Sequence, residues 1–370
     1  MEDIRAIPWN GLKVVSTFSG CGGSCTGYRM AGFKVVWANE FVPAAQESYR
    51  ANASADCYLD CRDVRTIKPD EILTQCGLQH GELDLFDGSP PCSSFSTAGT
   101  RESSWGKVKR YSDTAQRTDD LFFEYIRILR GLMPKAFVAE NVTGLVKGTA
   151  KGMFLEILRD LKASGYRVAC KILDAKWLGV PQSRQRTIFV GVRNDLNLEP
   201  VHPKPLPYFY SVRDALPWII RVRKGEVFGE EHYVGADTVG AQPSSGNNFN
   251  NGLGKVEAET DISRFAIGAE WERLSIGEQS SRYPNLIRVS PDKSCPTVTA
   301  RGANSGIAAV THPTEKRKFA IAELKRICGF PDDFILTGSY AQQWERLGRS
   351  VPPVMMFHIA KEIRDKILAP

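Results

Sequence analysis

The 370-residue chain holds nothing close to eighteen consecutive apolar residues, and its opening, MEDIRAIPWNGLKVV, lacks the basic-then-apolar layout of a secretory leader. No helical membrane span and no export are therefore expected, and a cytoplasmic protein is. Cysteine is sparse, and nine is an odd number, so a disulfide scaffold is excluded. No C-x-x-C pair occurs. Cys21/Cys25 and Cys57/Cys61 stand four apart without a histidine cluster beside them, and no metal site is expected. The Gly-Lys-Ser/Thr end of a phosphate-cradling loop is missing too, which sets nucleoside triphosphate chemistry aside. Internal repeats are absent. What remains is ordinary for a soluble globular chain, at 42% hydrophobic and 24% charged residues. The net charge of +6 permits a polyanionic partner without requiring one.

The first two hundred residues alternate between strand-length apolar runs and amphipathic stretches. LKVVSTF, KVVWANE, LDLFDGS, AFVAENV, YRVACKILDA and RTIFVGVR read as strands. TDDLFFEYIRILRGLM and GMFLEILRDLKASG repeat apolar residues every three or four positions and read as helices. The expected fold is α/β, with a doubly wound, mostly parallel sheet that displays its binding residues at the strand carboxyl ends. From about 195 to 289 the pattern dissolves into scattered prolines, SSGNNFNNG and many basic residues. Trp218, Phe228, Tyr233, Phe265 and Trp271 are too many aromatics for a linker, so a small domain is expected there. A catalytic domain over 1–194 plus 340–370 and a small domain over 195–339 follow.

VVSTFSGCGG runs from a strand into Gly20, Gly22 and Gly23, and WANE closes the next strand on Glu40. Such glycines let backbone approach a ligand, and an acid about twenty residues on suits a ribose hydroxyl pair. A plain tight turn would look the same. DGSPPCSSFS sets Cys92 behind Pro90 and Pro91, which stiffen the loop. Taken singly, Cys92 reads as a small buried hydrophobe. Its company points the other way: Glu140 ends the AFVAENV strand, and Arg184 and Arg186 in PQSRQR stand two apart, on one face of an opening strand. Cationic neighbours raise the thiolate fraction that a cysteine nucleophile needs. Arg101, Lys107, Lys109, Arg110 and Arg117 crowd the stretch after Cys92. It reads as a solvated loop or as a lid that closes on phosphates.

In order, the glycine turn, Glu40, CRDV, GSPPCSSFS, AENV, QSRQR, a variable stretch, CPTVTARG, CGFPDDF and GRSVPP resemble the motif set of the DNA (cytosine-5) methyltransferase family, bacterial or phage type. The likeness covers nearly all of the chain outside roughly 195–289. It implies S-adenosylmethionine as donor, double-stranded DNA as substrate and a target base flipped out of the helix. By the same likeness Cys92 attacks carbon 6 of cytosine, Glu140 holds the ring nitrogen and amino group, and Arg184 and Arg186 orient the base. Phe18, Gly20, Gly22, Gly23, Glu40, Phe41, Asp63, Val64, Pro91, Leu121, Arg349 and Ser350 would line the donor site. Arg101, Lys107, Lys109, Arg110 and Arg301 would meet DNA, and the variable stretch would read bases. A monomer without a metal is expected, with a restriction endonuclease as its candidate partner.

GRSVPP departs from the family, which usually has asparagine where this chain has Arg349. A second cation about 5 Å from a sulfonium would cost roughly 3 kcal/mol at an effective dielectric near 20. Arginine also suits a bidentate carboxylate contact. One reading is a carboxylated donor, carboxy-S-adenosylmethionine, giving 5-carboxymethylcytosine. The other turns Arg349 to a nearby acid, to the donor's own carboxylate or to a phosphate. Ser16 also stands where many relatives have aspartate. Three rival functions compete: a catalytically idle DNA-binding module; RNA modification, whose branch carries a Cys-Phe-Thr tripeptide that is absent from the variable region here; and a nicotinamide-linked oxidoreductase, which would explain the glycine turn but leaves PPC, ENV and QSRQR unaccounted for.

Overall fold

The structure, a computed structural model, describes residues 1–91, 109–111, 114–116, 120–146, 151–217, 219, 259–304 and 306–369. Cys92, Arg101, Lys107 and Arg117, and the aromatics Trp218, Phe228 and Tyr233, lie outside the described residues. Lys109 and Arg110 are described only as backbone, in a short antiparallel hairpin of Lys109–Tyr111 with Thr114–Gln116.

The six expected strands all form, and a three-residue strand joins them. β1 (Lys13–Thr17), β2 (Lys34–Asn39), β3 (Tyr58–Asp60) and β4 (Leu85–Gly88) precede the hairpin strands β5 and β6. β7 (Ala136–Val142), β8 (Tyr166–Asp174) and β9 (Gln185–Arg193) follow. The sheet order is β3-β2-β1-β4-β7-β9-β8. All pairs are parallel except β9, which runs against both β7 and β8. This is the doubly wound α/β fold expected. Its order reverses between β1 and β4, where such sheets bind ligands.

Both faces are covered, and the alternation of side chains sorts them into two cores. Val14, Leu85, Val138 and Val190 pack with α2 (Gly23–Met30) and the C-terminal helix Pro353–Ile363. Val15, Phe86, Phe137 and Phe189 pack with the helix Leu121–Leu132, whose Tyr125 stacks on Phe86 at 4.6 Å. A third core gathers Val212, Leu216, Val298, Phe319, Leu324, Trp344 and Leu347, with Met1 and Ile4 from the N-terminus. The helix Tyr340–Arg349, grouped with the catalytic half in the sequence analysis, contributes Trp344 and Leu347 to this third core. Its amphipathic face meets the 3₁₀ turn Ala300–Ala303, and Trp344 Nε1 donates to the Thr299 carbonyl at 2.8 Å. No helix among the described residues is long and apolar enough to cross a membrane.

Gly27 lets α2 and the C-terminal helix approach closely. A Cβ there would lie 2.5 Å from the Pro353 carbonyl oxygen and 2.6 Å from Met356 Cβ. Helix propensity favours alanine over glycine by about 1 kcal/mol, whereas overpacking costs about 1–3 kcal/mol. Two backbone-level clashes decide the sign, so Gly27→Ala should lower the midpoint of urea unfolding. A raised midpoint would show that α2 and the C-terminal helix are free to move apart.

Candidate active site

At the reversal, the segments leaving β1 and β4 diverge and open a cleft of about 1290 Å³ between the sheet edge and the small lobe. Phe18, just past β1, has φ +55°, a left-handed conformation costly for an aromatic residue. The turn continues through Gly22 at φ +97°, the N-cap of α2, where a Cβ would also press on the Tyr49 ring at 3.3 Å. Glu40, buried just beyond β2, buttresses this turn. Its carboxylate accepts from Gly20 N–H at 2.8 Å and Val42 N–H at 2.7 Å. Burial pushes the Glu40 pKa up, against the pull of those amides and of the Arg346 guanidinium. Phe41, Val64 and Leu121 add apolar wall, and Asp63 caps the 3₁₀ turn Val64–Thr66 at the cleft margin.

Glu140 projects from β7 into the same cleft, and Arg186, its neighbour but one across the β7–β9 pairing, meets it. Arg186 Nε lies 2.7 Å from Glu140 Oε1, both side chains being nearly buried. Next to Glu140, Asn141 Nδ2 donates to the Pro90 carbonyl at 3.2 Å. The carboxylate strand is thereby pinned to the loop that leads to Cys92. β9 begins at Gln185, so Arg184 sits just before the strand; both arginines line the cleft, but they take different partners. The buried Arg184 guanidinium crosses to the small lobe and donates to the carbonyls of Gly348 at 2.9 Å and Val298 at 3.3 Å, while its Nε has no acceptor among the described residues. Burial first, then the Arg186 charge, pushes the Arg184 pKa down to about 9, which leaves it a cation at neutral pH.

The helix Tyr340–Arg349 brings Arg346, Arg349 and Ser350 to the cleft from the small lobe. Arg349 Nε donates to Glu345 Oε1 at 2.7 Å, one turn back on the same helix. Ser350 Oγ donates to the Arg346 carbonyl at 2.6 Å and lies 3.1 Å from Cys21 Sγ. Beneath the cleft floor, on β4, Asp87 is fully buried and accepts from Ser16 Oγ at 2.8 Å and Tyr28 OH at 2.9 Å. Its pKa, ordinarily 3.8, is pushed up to about 7 by burial, and the Glu140 charge adds to that.

Of the residues singled out in the sequence, the cleft gathers Phe18, Gly20, Gly23, Glu40, Phe41, Asp63, Val64, Pro91 and Leu121 on the sheet side. It gathers Glu140, Arg184 and Arg186 at the centre, and Arg301, Arg349 and Ser350 on the small lobe. Gly22 is not among its lining residues; its left-handed turn faces Tyr49 instead. Sequence reading missed Arg346 and Asp87. Arg346 sits in an ordinary amphipathic helix, and Asp87 reads as strand-end punctuation before two prolines. Among the described residues no group of three histidine, cysteine or acidic side chains could hold a metal ion.

The family model described as C-5 cytosine-specific DNA methylase matches residues 12–365. The Type II methyltransferase M.NgoPII of Neisseria gonorrhoeae is 29% identical over 368 residues, spanning 99% of each chain. The Type II methyltransferase M.MthTI of Methanothermobacter thermautotrophicus is 30% identical over 368 residues, spanning 96% of this chain and 98% of its own. Among solved structures, a prophage-encoded candidate DNA modification methyltransferase of E. coli superposes with a TM-score of 0.70 at 22% identity, over 97% of this chain and all of that one.

Two outcomes follow from the buried groups. Replacing Arg186 with glutamine strands the Glu140 carboxylate in the cleft wall, and breaking such a buried pair costs roughly 3–5 kcal/mol. Urea unfolding at pH 7 should show a loss of that order. Asp87 ionises near pH 4 unfolded and near pH 7 folded. It is a carboxyl of raised folded pKa, so its contribution to stability is present below about pH 4 and is lost as pH rises to about 7. About three pKa units correspond to about 4 kcal/mol at most. Asp87→Asn should therefore gain on the parent between pH 5 and pH 7.5 in urea unfolding; parallel pH profiles would contradict the assignment.

Proposed function

The chain belongs to the C-5 cytosine-specific DNA methylase family, and on that premise we propose that it methylates cytosine at carbon 5 in double-stranded DNA, with Cys92 as nucleophile. The observation that carries the assignment of residues is the pinned pair. The Glu140–Arg186 couple stands in the cleft wall and is tied through Asn141 to the Pro90–Pro91 segment that delivers Cys92. The Cys92 thiolate adds to carbon 6 of a cytosine turned out of the duplex, and the electrons of the ring double bond move to carbon 5. Glu140 meets the ring nitrogen and amino group, where charge changes during the addition. Arg186 keeps the Glu140 carboxylate in place. The Arg184 cation, anchored on two small-lobe carbonyls, adds positive potential at the site that favours the thiolate. After transfer the carbon-5 proton leaves, its bonding electrons restore the ring, and the Cys92–carbon 6 bond breaks.

The site fits S-adenosylmethionine, which supplies an electrophilic methyl group when bound. Glu40 is an acceptor held at the end of β2 by two amides, with lone pairs left for ribose hydroxyls. Phe41, Val64 and Leu121 offer apolar walls for the adenine, with Asp63 at its edge. Arg301, Lys109, Arg110, Arg101 and Lys107 serve the phosphates. The relatives that bear Type II methyltransferase names support a restriction endonuclease as functional partner.

The donor's transferred group turns on Arg349. Glu345 meets its charge at 2.7 Å, which removes the need for a carboxylated donor and supports plain methyl transfer. A carboxymethyl transfer would require Arg349 to exchange Glu345 for the donor's extra carboxylate.

Cys92→Ser should lower turnover on duplex DNA by at least about a thousandfold, and the parent should form a covalent adduct on 5-fluorocytosine DNA that the variant does not. An active Cys92→Ser chain would remove the nucleophile assignment, and a parent with no adduct would favour an idle binding module. With both donors offered together, mass spectrometry of digested DNA should report 5-methylcytosine; 5-carboxymethylcytosine that disappears in Arg349→Asn would reverse the reading of the donor.

A further inference from the structure

Asp87 is a buried carboxylate with no cationic partner among the described residues. Its neighbours from each packed element are Ser16 on β1, Tyr28 and Cys25 on α2, Tyr125 on the helix Leu121–Leu132 and Glu140 on β7. None carries positive charge. A carboxylate so placed opposes folding, and an isosteric amide would not. Its geometry supplies a reason for it to be there.

β1 and β4 are register partners at Ser16 and Asp87, one pair before the ladder ends at Thr17 and Gly88. Ser16 Oγ donates to Asp87 Oδ2 at 2.8 Å, and Ser16 in turn accepts from Ser19 Oγ at 3.1 Å, through both its hydroxyl and its carbonyl. Ser19 lines the cleft inside the turn after β1. On the far side, Thr17 Oγ1 donates to the Asp87 carbonyl at 3.2 Å, and two residues later Ser89, Pro90 and Pro91 line the cleft on the way to Cys92. Above about pH 7, where Asp87 is ionised, its carboxylate only accepts. It therefore dictates the direction of every hydrogen bond in the Ser19–Ser16–Asp87 chain. An asparagine keeps one acceptor oxygen and replaces the other with an NH2 donor, so either Ser16 or Tyr28 must turn to accept, and the direction of the chain to Ser19 is no longer dictated.

We propose that Asp87 is a positioning residue that couples the donor turn after β1 to the nucleophile loop after β4 by fixing the direction of the Ser19–Ser16–Asp87 chain. The proposal rests on the methyltransferase reading above. Tyr28 bonds the other carboxylate oxygen from the helix side and leads to neither loop, so it serves as an internal control.

The test is calorimetric binding of S-adenosylmethionine to the full-length parent, Asp87→Asn, Ser16→Ala, Tyr28→Phe and the exchange variant Ser16→Asp/Asp87→Ser, each first shown to be folded. Loss of a hydrogen bond to a charged group predicts weakening of about tenfold or more in Asp87→Asn and Ser16→Ala. Tyr28→Phe should stay within about threefold, and the exchange variant should return to about threefold of the parent, because the carboxylate then enters the same pocket from the paired strand. At saturating donor, adduct formation on 5-fluorocytosine DNA should slow in Asp87→Asn as well. Parent-like binding by Asp87→Asn, equal weakening by Ser16→Ala and Tyr28→Phe, an exchange variant no better than Asp87→Asn, or an unchanged adduct rate would each overturn the coupling. A parent that binds no S-adenosylmethionine would instead overturn the methyltransferase reading, and this proposal with it.

Discussion

β1 and β4 lie side by side at the centre of the sheet, and the chain beyond each leaves in a different direction. A right-handed crossover from β1 covers one face and leads outward to β2 and β3, whereas β4 leads to β7 on the other side. No loop can close over the gap between them, so a crevice must open there. The donor turn with its strained Phe18 and the proline-stiffened approach to Cys92 are the two lips of that crevice. The small lobe supplies the roof.

The roof is held by polar contacts as much as by apolar packing. Arg184 reaches from the foot of β9 to two carbonyls of the small lobe, Val298 and Gly348, and each lies beside residues that line the cleft. A buried guanidinium is expensive to desolvate unless acceptors meet it. The distance between lobes is therefore set by where those carbonyls stand. Arg186 works within the sheet instead, against Glu140 across one strand boundary. Two arginines separated by a single residue thus do different jobs, one spanning lobes and one orienting an acid.

Much of this was legible in the residues. The β-branched strand runs, the amphipathic helices and the order of short motifs gave the sheet, the cleft-lining acids Glu40 and Glu140, and the family. The two-residue spacing brought Arg184 and Arg186 to one cleft, but it could not show that Arg184 bonds two carbonyls of the small lobe while Arg186 meets Glu140. Gly22 was placed in the pocket by its glycine neighbours, although its left-handed turn faces Tyr49. The helix Tyr340–Arg349 buries Trp344 and Leu347 in a core that also takes Met1, Ile4 and Cys21, which no short motif announces.

The amino-acid order by itself determined the strands and helices, the absence of a triphosphate loop, and which thiol, carboxylates and guanidinium groups belong to one motif set. Those are local properties, carried by period, turn residues and short spacings. Only the tertiary structure decided which of these groups touch: Arg186 with Glu140, Arg184 with the small lobe, Arg349 with Glu345, and Asp87 with Ser16 across 71 residues. Partner choice among buried charges depends on strand register and on the lack of water to screen a wrong pairing, and neither is written in any short stretch of sequence.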